Sequence, residues 1–390
     1  MQIECQNQNK IGMQRRTFVK AGLWAGMSAG VWEVPVWGRG SRSPLLTPRT
    51  ENGVDWYNVE SWGIEGRGFG ETQSYFDRLP AKAKGLVRDA VWNLSLHSAG
   101  MAVRFKTESS EIHVDYRLRS AGLSMVHMPA TGVSGIDFYG RTESGDDRWV
   151  QVVRPTDQDV KTRVVNGIDP GPKGGRLYTA YLPLYNGVEK LEIGVKAGAI
   201  FTPILPRAEK PLLFYGTSIM HGACASRPGM TISALLGRRY DMPTVNLGFS
   251  GNGRLELELA DLIGEVDAAV YCVDCLPNLN PDQVAERTVP FFRRLRKHRP
   301  DTPIVMVEDR LFTNSPFFGA TRNRHEGNQK AFREGYEELV KQGVAGLHYL
   351  RGKDLLGSDG EAATDGSHPN DLGFMRYADA YAKVLDPLLR

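Results

Sequence analysis

The chain has 390 residues, of which 41% are apolar, and it carries a formal net charge of +3. This length suffices for two domains, and the apolar fraction is ordinary for a globular protein. Residues 1–43 hold a net charge of +4, which leaves −1 on the remainder. A near-neutral body gives no reason to expect nucleic acid or an anionic membrane as a partner.

The N-terminal segment predicts export. The motif QRRTFVK over residues 14–20 resembles a twin-arginine signal, and an apolar run over residues 21–32 follows it. That run is too short to span a bilayer, and three glycines argue against the alternative, a stable amphipathic helix. We expect residues 1–43 to be a signal and linker that directs the protein to the periplasm or the medium, without stable membrane insertion.

Segments with strand character follow over residues 52–205. Apolar and polar residues alternate over 112–118 and again over 191–195, which is the pattern of half-buried strands. Turn residues separate these from further expected strands at residues 90–95, 101–106, 136–139, 149–153 and 177–182. Many short strands without helices between them predict an accessory β-sandwich or jelly-roll domain.

Residues 208–390 alternate between strand and helix patterns. Strands are expected at residues 212–215, 244–247, 268–273, 304–307 and 347–350, with helices at 231–240, 255–263, 280–298, 327–340 and 371–385. Such alternation predicts an α/β domain with a parallel sheet between two helical layers. Ligands of such sheets bind beyond the carboxyl ends of the strands.

Two segments of this domain could form a nucleophilic site. The first expected strand ends at Gly216-Thr217-Ser218, which places a hydroxyl beside backbone N–H donors. His368 and Asp365 lie three residues apart in one loop, where the histidine could act as a base and the aspartate could orient it. An ordinary loop serine is the alternative for Ser218, and the downstream Asp–His pair argues against it.

Four segments together resemble the motif blocks of the SGNH (GDSL-type) hydrolases. The G-T-S-I segment matches the first block, with Thr217 where Asp is usual, and the D-x-x-H pair matches the last. Gly251 takes the glycine position of the second block. Asn278 takes the asparagine position of the third, although the glycine that usually precedes it is missing.

The resemblance implies a flavodoxin-like, three-layer fold and a role for each matched residue. Ser218 would be the nucleophile, His368 the base and Asp365 its orienting carboxylate. The oxyanion hole would consist of the N–H groups of Ser218 and Gly251 and the side-chain amide of Asn278. This chemistry needs no metal and no cofactor. His221, Asp309 and Arg310, also near strand ends, are expected as possible substrate contacts.

A second resemblance lies in the sandwich. The segment SGIDFY over residues 134–139 resembles the G-x-D-L-Y motif of a domain that precedes some SGNH hydrolases, with Phe138 in place of leucine. Its residues alone indicate a glycine turn that leads into an edge strand, with Asp137 bonded locally. The aromatic residues of the neighbouring strands are expected in the core, and an exposed one could stack on a sugar.

The cysteines favour structural roles. Cys272-x-x-Cys275 invites a metal or redox interpretation, but a zinc site needs four ligands and only one such pair exists. Cys272 lies within an expected strand and is interpreted as a small buried residue. In the family fold the loops of Cys224 and Cys275 are neighbours, so we expect a disulfide between them.

The predicted function is that of an exported serine esterase for short-chain, chiefly acetyl, esters of carbohydrates. The expected partner is a small-molecule or polysaccharide ester, and the sequence sets no oligomeric state. The resemblance leaves a short-chain acyl or phospholipid-type esterase, or a thioesterase, as alternatives. The non-enzymatic alternative is a glycan-binding module with a decayed hydrolase domain.

Overall fold

The structure, a computed structural model, describes residues 46–169 and 171–389. The predicted export segment, residues 1–43, lies outside the described residues, so export stays a prediction. Among the described helices, none combines the length and apolar character needed to cross a membrane.

The N-terminal half of the described chain forms two five-stranded antiparallel sheets. Its strands are β1 (Arg49–Glu51), β2 (Val54–Asn58), β3 (Ala102–Thr107), β4 (Glu111–Leu118), β5 (Asp137–Arg141), β6 (Asp147–Val152), β7 (Asp159–Asn166), β8 (Arg176–Tyr181), β9 (Val188–Lys196) and β10 (Phe201–Ile204). The first sheet has the order β1–β2–β9–β4–β7 and the second β10–β3–β8–β5–β6. The predicted β-rich domain is confirmed.

One apolar core joins these two sheets, because alternate side chains of each sheet point into it. On β4 the alternation is as predicted: Ile112 and Val114 are buried, whereas His113 and Asp115, which follow them in turn, are partly exposed. Full burial of one such aliphatic side chain stabilises the fold by roughly 1.5–3 kcal/mol.

The C-terminal half contains a five-stranded parallel sheet. Its strands are β11 (Leu212–Gly216), β12 (Thr244–Gly248), β13 (Val270–Asp274), β14 (Ile304–Val307) and β15 (Leu347–Leu350). Their order, β12–β11–β13–β14–β15, is the flavodoxin-like order, which confirms the predicted fold class. The chain order reverses beside β11, so the carboxyl ends of β11, β12 and β13 meet at a topological switch point.

Helices cover both faces of this sheet. The helices of the described chain are α1 (Asp89–Ser95), α2 (Ala130–Val133), α3 (Ser218–His221), α4 (Ile232–Tyr240), α5 (Leu257–Glu265), α6 (Pro281–His298), α7 (Gly319–Lys341) and α8 (Asp371–Leu385). One core cluster holds side chains of α5, α6 and α7, and another holds those of α3, α4 and α8. Because both faces are covered, β11, β12 and β13 are buried throughout.

The structure corrects the predictions for two of the expected strands. Residues 90–95 form helix α1 rather than a strand, because Val91, Trp92 and Ser95 lie on one helical face and are buried together. Residues 134–139 do not lead into an edge strand, because β5 lies between β8 and β6.

Asp137, at the start of β5, is not bonded locally but ties the two halves together. It is fully buried and accepts hydrogen bonds from Trp149 Nε1 at 2.9 Å, Arg227 Nη1 at 3.0 Å and Gly229 N at 2.8 Å. Two of these donors belong to the segment before α4. The buried carboxylate therefore joins the sandwich to the parallel-sheet half through an ion pair with Arg227 and a hydrogen bond from Gly229.

Replacing Asp137 with alanine should lower the free energy of unfolding by about 3–5 kcal/mol, because the partly buried Arg227 charge, Trp149 Nε1 and Gly229 N would all lose their acceptor. Urea unfolding followed by circular dichroism measures this loss. Asp146→Ala removes an exposed carboxylate of the same hairpin and should change the value by less than about 0.5 kcal/mol. Equal effects of the two changes would contradict the assignment.

Candidate active site

Strand β11 brings Ser218 to the carboxyl edge of the parallel sheet. At Gly216 a Cβ atom would lie 2.6 Å from the carbonyl oxygen of Asp274, so the close approach of β13 requires glycine. Thr217 then caps α3, since its Oγ1 accepts a hydrogen bond from Ile219 N at 3.3 Å. Ser218 is the first residue of α3, and 8% of its surface stays open to solvent.

The loop of residues 365–368, here called the catalytic loop, places an imidazole and a carboxylate against this serine. Ser218 Oγ lies 2.8 Å from His368 Nε2, and His368 Nδ1 lies 2.7 Å from Asp365 Oδ2. An ionised carboxylate can only accept hydrogen bonds, so it fixes the proton on Nδ1. The lone pair of Nε2 then faces the serine hydroxyl.

The Asp365 carboxyl is held in its ionised form. Partial burial would raise its pKa, but hydrogen bonds from the backbone and ring of His368 and from the Ser367 N–H outweigh burial and lower the pKa to about 2. The carboxylate is therefore charged at neutral pH and can stabilise a protonated imidazole. A hydroxyl, an imidazole and a carboxylate joined in this way can activate the hydroxyl as a nucleophile.

Asp309 and Arg310 are buried, so their prediction as substrate contacts is wrong. Arg310 Nη1 donates to Asp309 Oδ1 at 2.6 Å, and its Nη2 donates to the Ser367 hydroxyl in the catalytic loop. Asp309 Oδ2 also accepts from Asn328 Nδ2 at 3.0 Å and lies 2.7 Å from His325 Nδ1. This buried network supports the catalytic loop from the protein interior.

Hydrogen-bond donors from three segments lie beside the Ser218 turn. The N–H groups of Ser218 and Gly251 have no acceptor within residues 46–169 and 171–389. Gly251 is exposed and has φ +69°, a left-handed value that favours glycine. Asn278 follows β13, and its Nδ2 donates to Gly253 O at 3.2 Å, which leaves its second amide hydrogen free. Gly253 packs so closely on Gly216 that a Cβ atom would lie 2.0 Å from the Gly216 carbonyl oxygen.

Arg78, from the N-terminal half, holds the strand end that leads to this donor loop. It is 1% exposed, and its Nη1 donates to the carbonyl oxygens of Asn246 at 3.1 Å and Gly248 at 2.8 Å. Its Nε and Nη2 donate to the carbonyl oxygens of His97 at 3.0 Å and Leu94 at 2.6 Å. The guanidinium therefore fixes the end of β12 against the N-terminal half.

His221 lies three residues after Ser218, but it is fully buried, so its prediction as a substrate contact is wrong. Its Nε2 lies 2.7 Å from the Leu184 carbonyl oxygen, which requires a proton on that nitrogen. Burial and the neighbouring Arg78 lower the pKa of His221 well below its usual range. The neutral ring stacks on Tyr185, with 4.2 Å between ring centroids.

Two residues of the N-terminal half approach the site without a signal in the sequence. The Tyr185 hydroxyl lies 3.5 Å from the carbonyl oxygen of Ser218. The ring centroid of His127, an exposed residue, lies 6.0 Å from that of His368. Each contact joins a loop of the N-terminal half to the C-terminal half, and the spacing of residues within a strand or helix does not predict such a contact.

The described cysteines, Cys224, Cys272 and Cys275, carry free thiols, so the predicted Cys224–Cys275 disulfide is wrong. Cys275 lies in the apolar core beneath α5 and α6, whereas Cys224 is buried in the turn that follows α3. Cys272 is buried within β13. In the same described ranges, no three His, Cys, Asp or Glu side chains lie close enough together to hold a metal ion.

An activated serine should react with a fluorophosphonate, and we expect a single covalent adduct at Ser218. His368→Ala should slow the labelling by about 10²–10⁴-fold, because general-base assistance is lost. Intact-protein and peptide mass spectrometry measure the rate and the position. His298 also contacts an aspartate, Asp261, at 2.7 Å, so His298→Ala is a matched control that should label normally. An unchanged labelling rate in His368→Ala would contradict the role that the geometry gives to His368.

Comparison with known proteins agrees with this geometry. The model of the GDSL-like lipase/acylhydrolase family matches residues 209–386, and the GxDLY model, the N-terminus of SGNH-hydrolase-type esterases, matches residues 54–201. Among curated proteins none matches the chain.

Three solved structures are similar over most of their length. A GDSL-like lipase candidate from Bacteroides ovatus is 30% identical, with a TM-score of 0.81, over 86% of this chain and 98% of its own. A salicylyl-acyltransferase of a tetracycline biosynthetic pathway is 19% identical, with a TM-score of 0.66, over 90% of this chain and 98% of its own. An acetyl xylan esterase from the rumen bacterium Butyrivibrio proteoclasticus is 12% identical, with a TM-score of 0.53, over 86% of this chain and 98% of its own. The chain therefore belongs to the GDSL-like lipase/acylhydrolase family, the SGNH esterase-type hydrolases.

Proposed function

We propose that this protein is a serine esterase that hydrolyses short-chain, chiefly acetyl, esters of carbohydrates. The observation that carries the proposal is the line of two contacts, 2.8 Å from Ser218 Oγ to His368 Nε2 and 2.7 Å from His368 Nδ1 to Asp365 Oδ2. A glycan-binding module with a decayed hydrolase domain would have no need to keep this alignment.

The proposed chemistry proceeds in two steps. Ser218 Oγ attacks the ester carbonyl carbon while His368 Nε2 takes the hydroxyl proton, and Asp365 stabilises the imidazolium. The imidazolium then gives this proton to the oxygen of the leaving alcohol, and the acyl group stays on the serine. A water molecule, deprotonated by His368, releases the acid and restores the hydroxyl.

The negative charge that develops on the carbonyl oxygen needs fixed donors. Ser218 N–H, Gly251 N–H and the free amide hydrogen of Asn278 are assigned this role, since they lie on the segments that follow β11, β12 and β13. Donors held by the fold need no reorganisation when the charge appears, so they stabilise the transition state more than water does.

The sugar ester and the acetyl group are supported by three features. A fold relative over 98% of its length is named an acetyl xylan esterase. The segments between the four motif blocks carry no long apolar lid for an extended acyl chain. The β-sandwich that contributes Tyr185 and His127 to the site adds polar groups near the serine.

A short-chain acyl or phospholipid-type esterase is the second candidate. Phe317 and Phe318 are 85% and 54% exposed, and they follow Thr313, whose N–H donates to Gly366 O in the catalytic loop at 2.9 Å. Exposed aromatic rings at this edge favour an apolar acyl chain. A series of ethyl esters from acetate to octanoate separates the two, because the proposed function requires the highest kcat/KM with acetate.

Ser218→Ala should reduce kcat by about 10⁴-fold or more, because the covalent step is lost. Acetate released from 4-nitrophenyl acetate and from acetylated xylan is the measurement. Ser144→Ala, in the exposed β5–β6 turn, is the control and should retain full activity. Activity that survives in Ser218→Ala would rule out the esterase mechanism, and activity on the aryl ester alone would rule out the carbohydrate substrate.

Asn278→Ala should lower kcat by roughly 10²–10³-fold with little change in KM, because the lost donor acts on the transition state. Steady-state kinetics with 4-nitrophenyl acetate test this. Asn280→Ala, two residues further on, removes the N-cap of α6 and should cost about 1 kcal/mol of stability while kcat is retained. A change in KM alone would place Asn278 in substrate binding instead.

A further inference from the structure

A tight hairpin of the N-terminal half ends beside the catalytic loop. Met125 N donates to Met128 O at 3.0 Å, and Met128 N donates to Met125 O at 3.1 Å. These reciprocal bonds leave Val126 and His127 as a two-residue turn. Residues 125–128 are called the hairpin tip below.

Both halves of the protein anchor the hairpin tip. Met128 is 2% exposed and packs in the core cluster that holds side chains of α3, α4 and α8. Thr131 Oγ1, three residues later, donates to Ser226 O at 2.7 Å. On the other side, Asn186 exchanges two hydrogen bonds with the backbone of Ser120, at 2.8 and 3.0 Å. The hairpin tip is therefore fixed beside the site before any ligand arrives.

The hairpin tip presents an apolar and a polar group together. Val126 is as exposed as in an extended peptide, at 108%, and Met125 is 37% exposed. The imidazole of His127 is exposed next to them, and its centroid lies 6.0 Å from that of His368. Val126 is fully open to solvent in the described structure, and it is the neighbour of His127 in the turn that lies beside the catalytic loop.

The direction of proton transfer decides which part of a substrate would reach the hairpin tip. His368 Nε2 must come within about 3 Å of the leaving oxygen to protonate it. The proposed oxyanion donors lie beyond β11, β12 and β13, whereas His368 follows β15 in the chain. The alcohol therefore departs on the His368 side, within reach of His127.

We propose that the hairpin tip is the subsite for the leaving alcohol and that this alcohol is a sugar. An imidazole can donate to one hydroxyl and accept from another, and the Val126 side chain can cover the C–H face of a pyranose ring. A simple alkyl alcohol would use the apolar contact only. This inference rests on the proposed function and assigns His127 and Val126 as specificity residues for it.

The test holds the acyl group constant and changes the alcohol. Ethyl acetate and a mono-O-acetylated methyl xyloside are compared in the wild type, His127→Ala, His127→Asn and Val126→Ser. His127→Ala should lower the ratio of kcat/KM for the xyloside to that for ethyl acetate about 10-fold, mainly through KM, which corresponds to about 1.4 kcal/mol. His127→Asn should restore part of the ratio, and Val126→Ser should lower it about threefold.

Ile200→Ser is the matched control, since Ile200 is an exposed apolar residue in the turn between β9 and β10 of the same half, and the ratio should not change. An equal fall on both substrates would overturn the subsite, because it would indicate an effect on His368 itself. An unchanged ratio in His127→Ala would overturn it as well. Wild-type protein that releases acetate from neither substrate would instead refute the proposed function, which keeps the two failures distinguishable.

Discussion

The contact between Ser218 Oγ and His368 Nε2 joins residues 150 positions apart, and the rest of the site depends on it. A parallel sheet makes such a contact possible, because the carboxyl ends of neighbouring strands meet at one edge regardless of their separation in the chain. Residues beneath the site then fix the distance between Ser218 Oγ and His368 Nε2. Arg310 holds the Ser367 hydroxyl within the catalytic loop, and Gly216 allows β13 to approach the turn that carries the serine.

The N-terminal half takes part in this arrangement rather than standing beside it. Arg78 binds the carbonyl oxygens at the end of β12, and Asp137 binds the segment before α4. Both groups are buried and charged, so moving the halves apart would leave polar atoms without partners. Buried charges of this kind fix one relative position more strictly than an apolar contact does, since their hydrogen bonds depend on direction. The sandwich can therefore place its own loops at the site with constant geometry.

Much of this could be predicted from local pattern. The parallel strands are continuous apolar runs that end in turn residues, and the start of α6 at Asn280-Pro281 follows capping chemistry, so β14, β15 and α6 match their predicted bounds. Residues 90–95 were misassigned because a short apolar run fits a strand or a helix equally well. The partners of Asp137 and the position of His127 could not be predicted, because they depend on how two separately patterned halves pack.

The same physics explains why the proposed base, His368, is not the histidine nearest to the serine in sequence. His221 is three residues from Ser218, but it is enclosed, its Nε2 proton is committed to the Leu184 carbonyl, and Arg78 opposes any positive charge on its ring. His368 has a carboxylate on Nδ1, and 23% of its side chain is open to solvent, so it can accept a proton and return it. A histidine can therefore serve as a base only where its charged form is stabilised, as the Asp365 carboxylate does for His368. His221 is buried without a counter-ion, so its ring stays neutral and only packs against its neighbours.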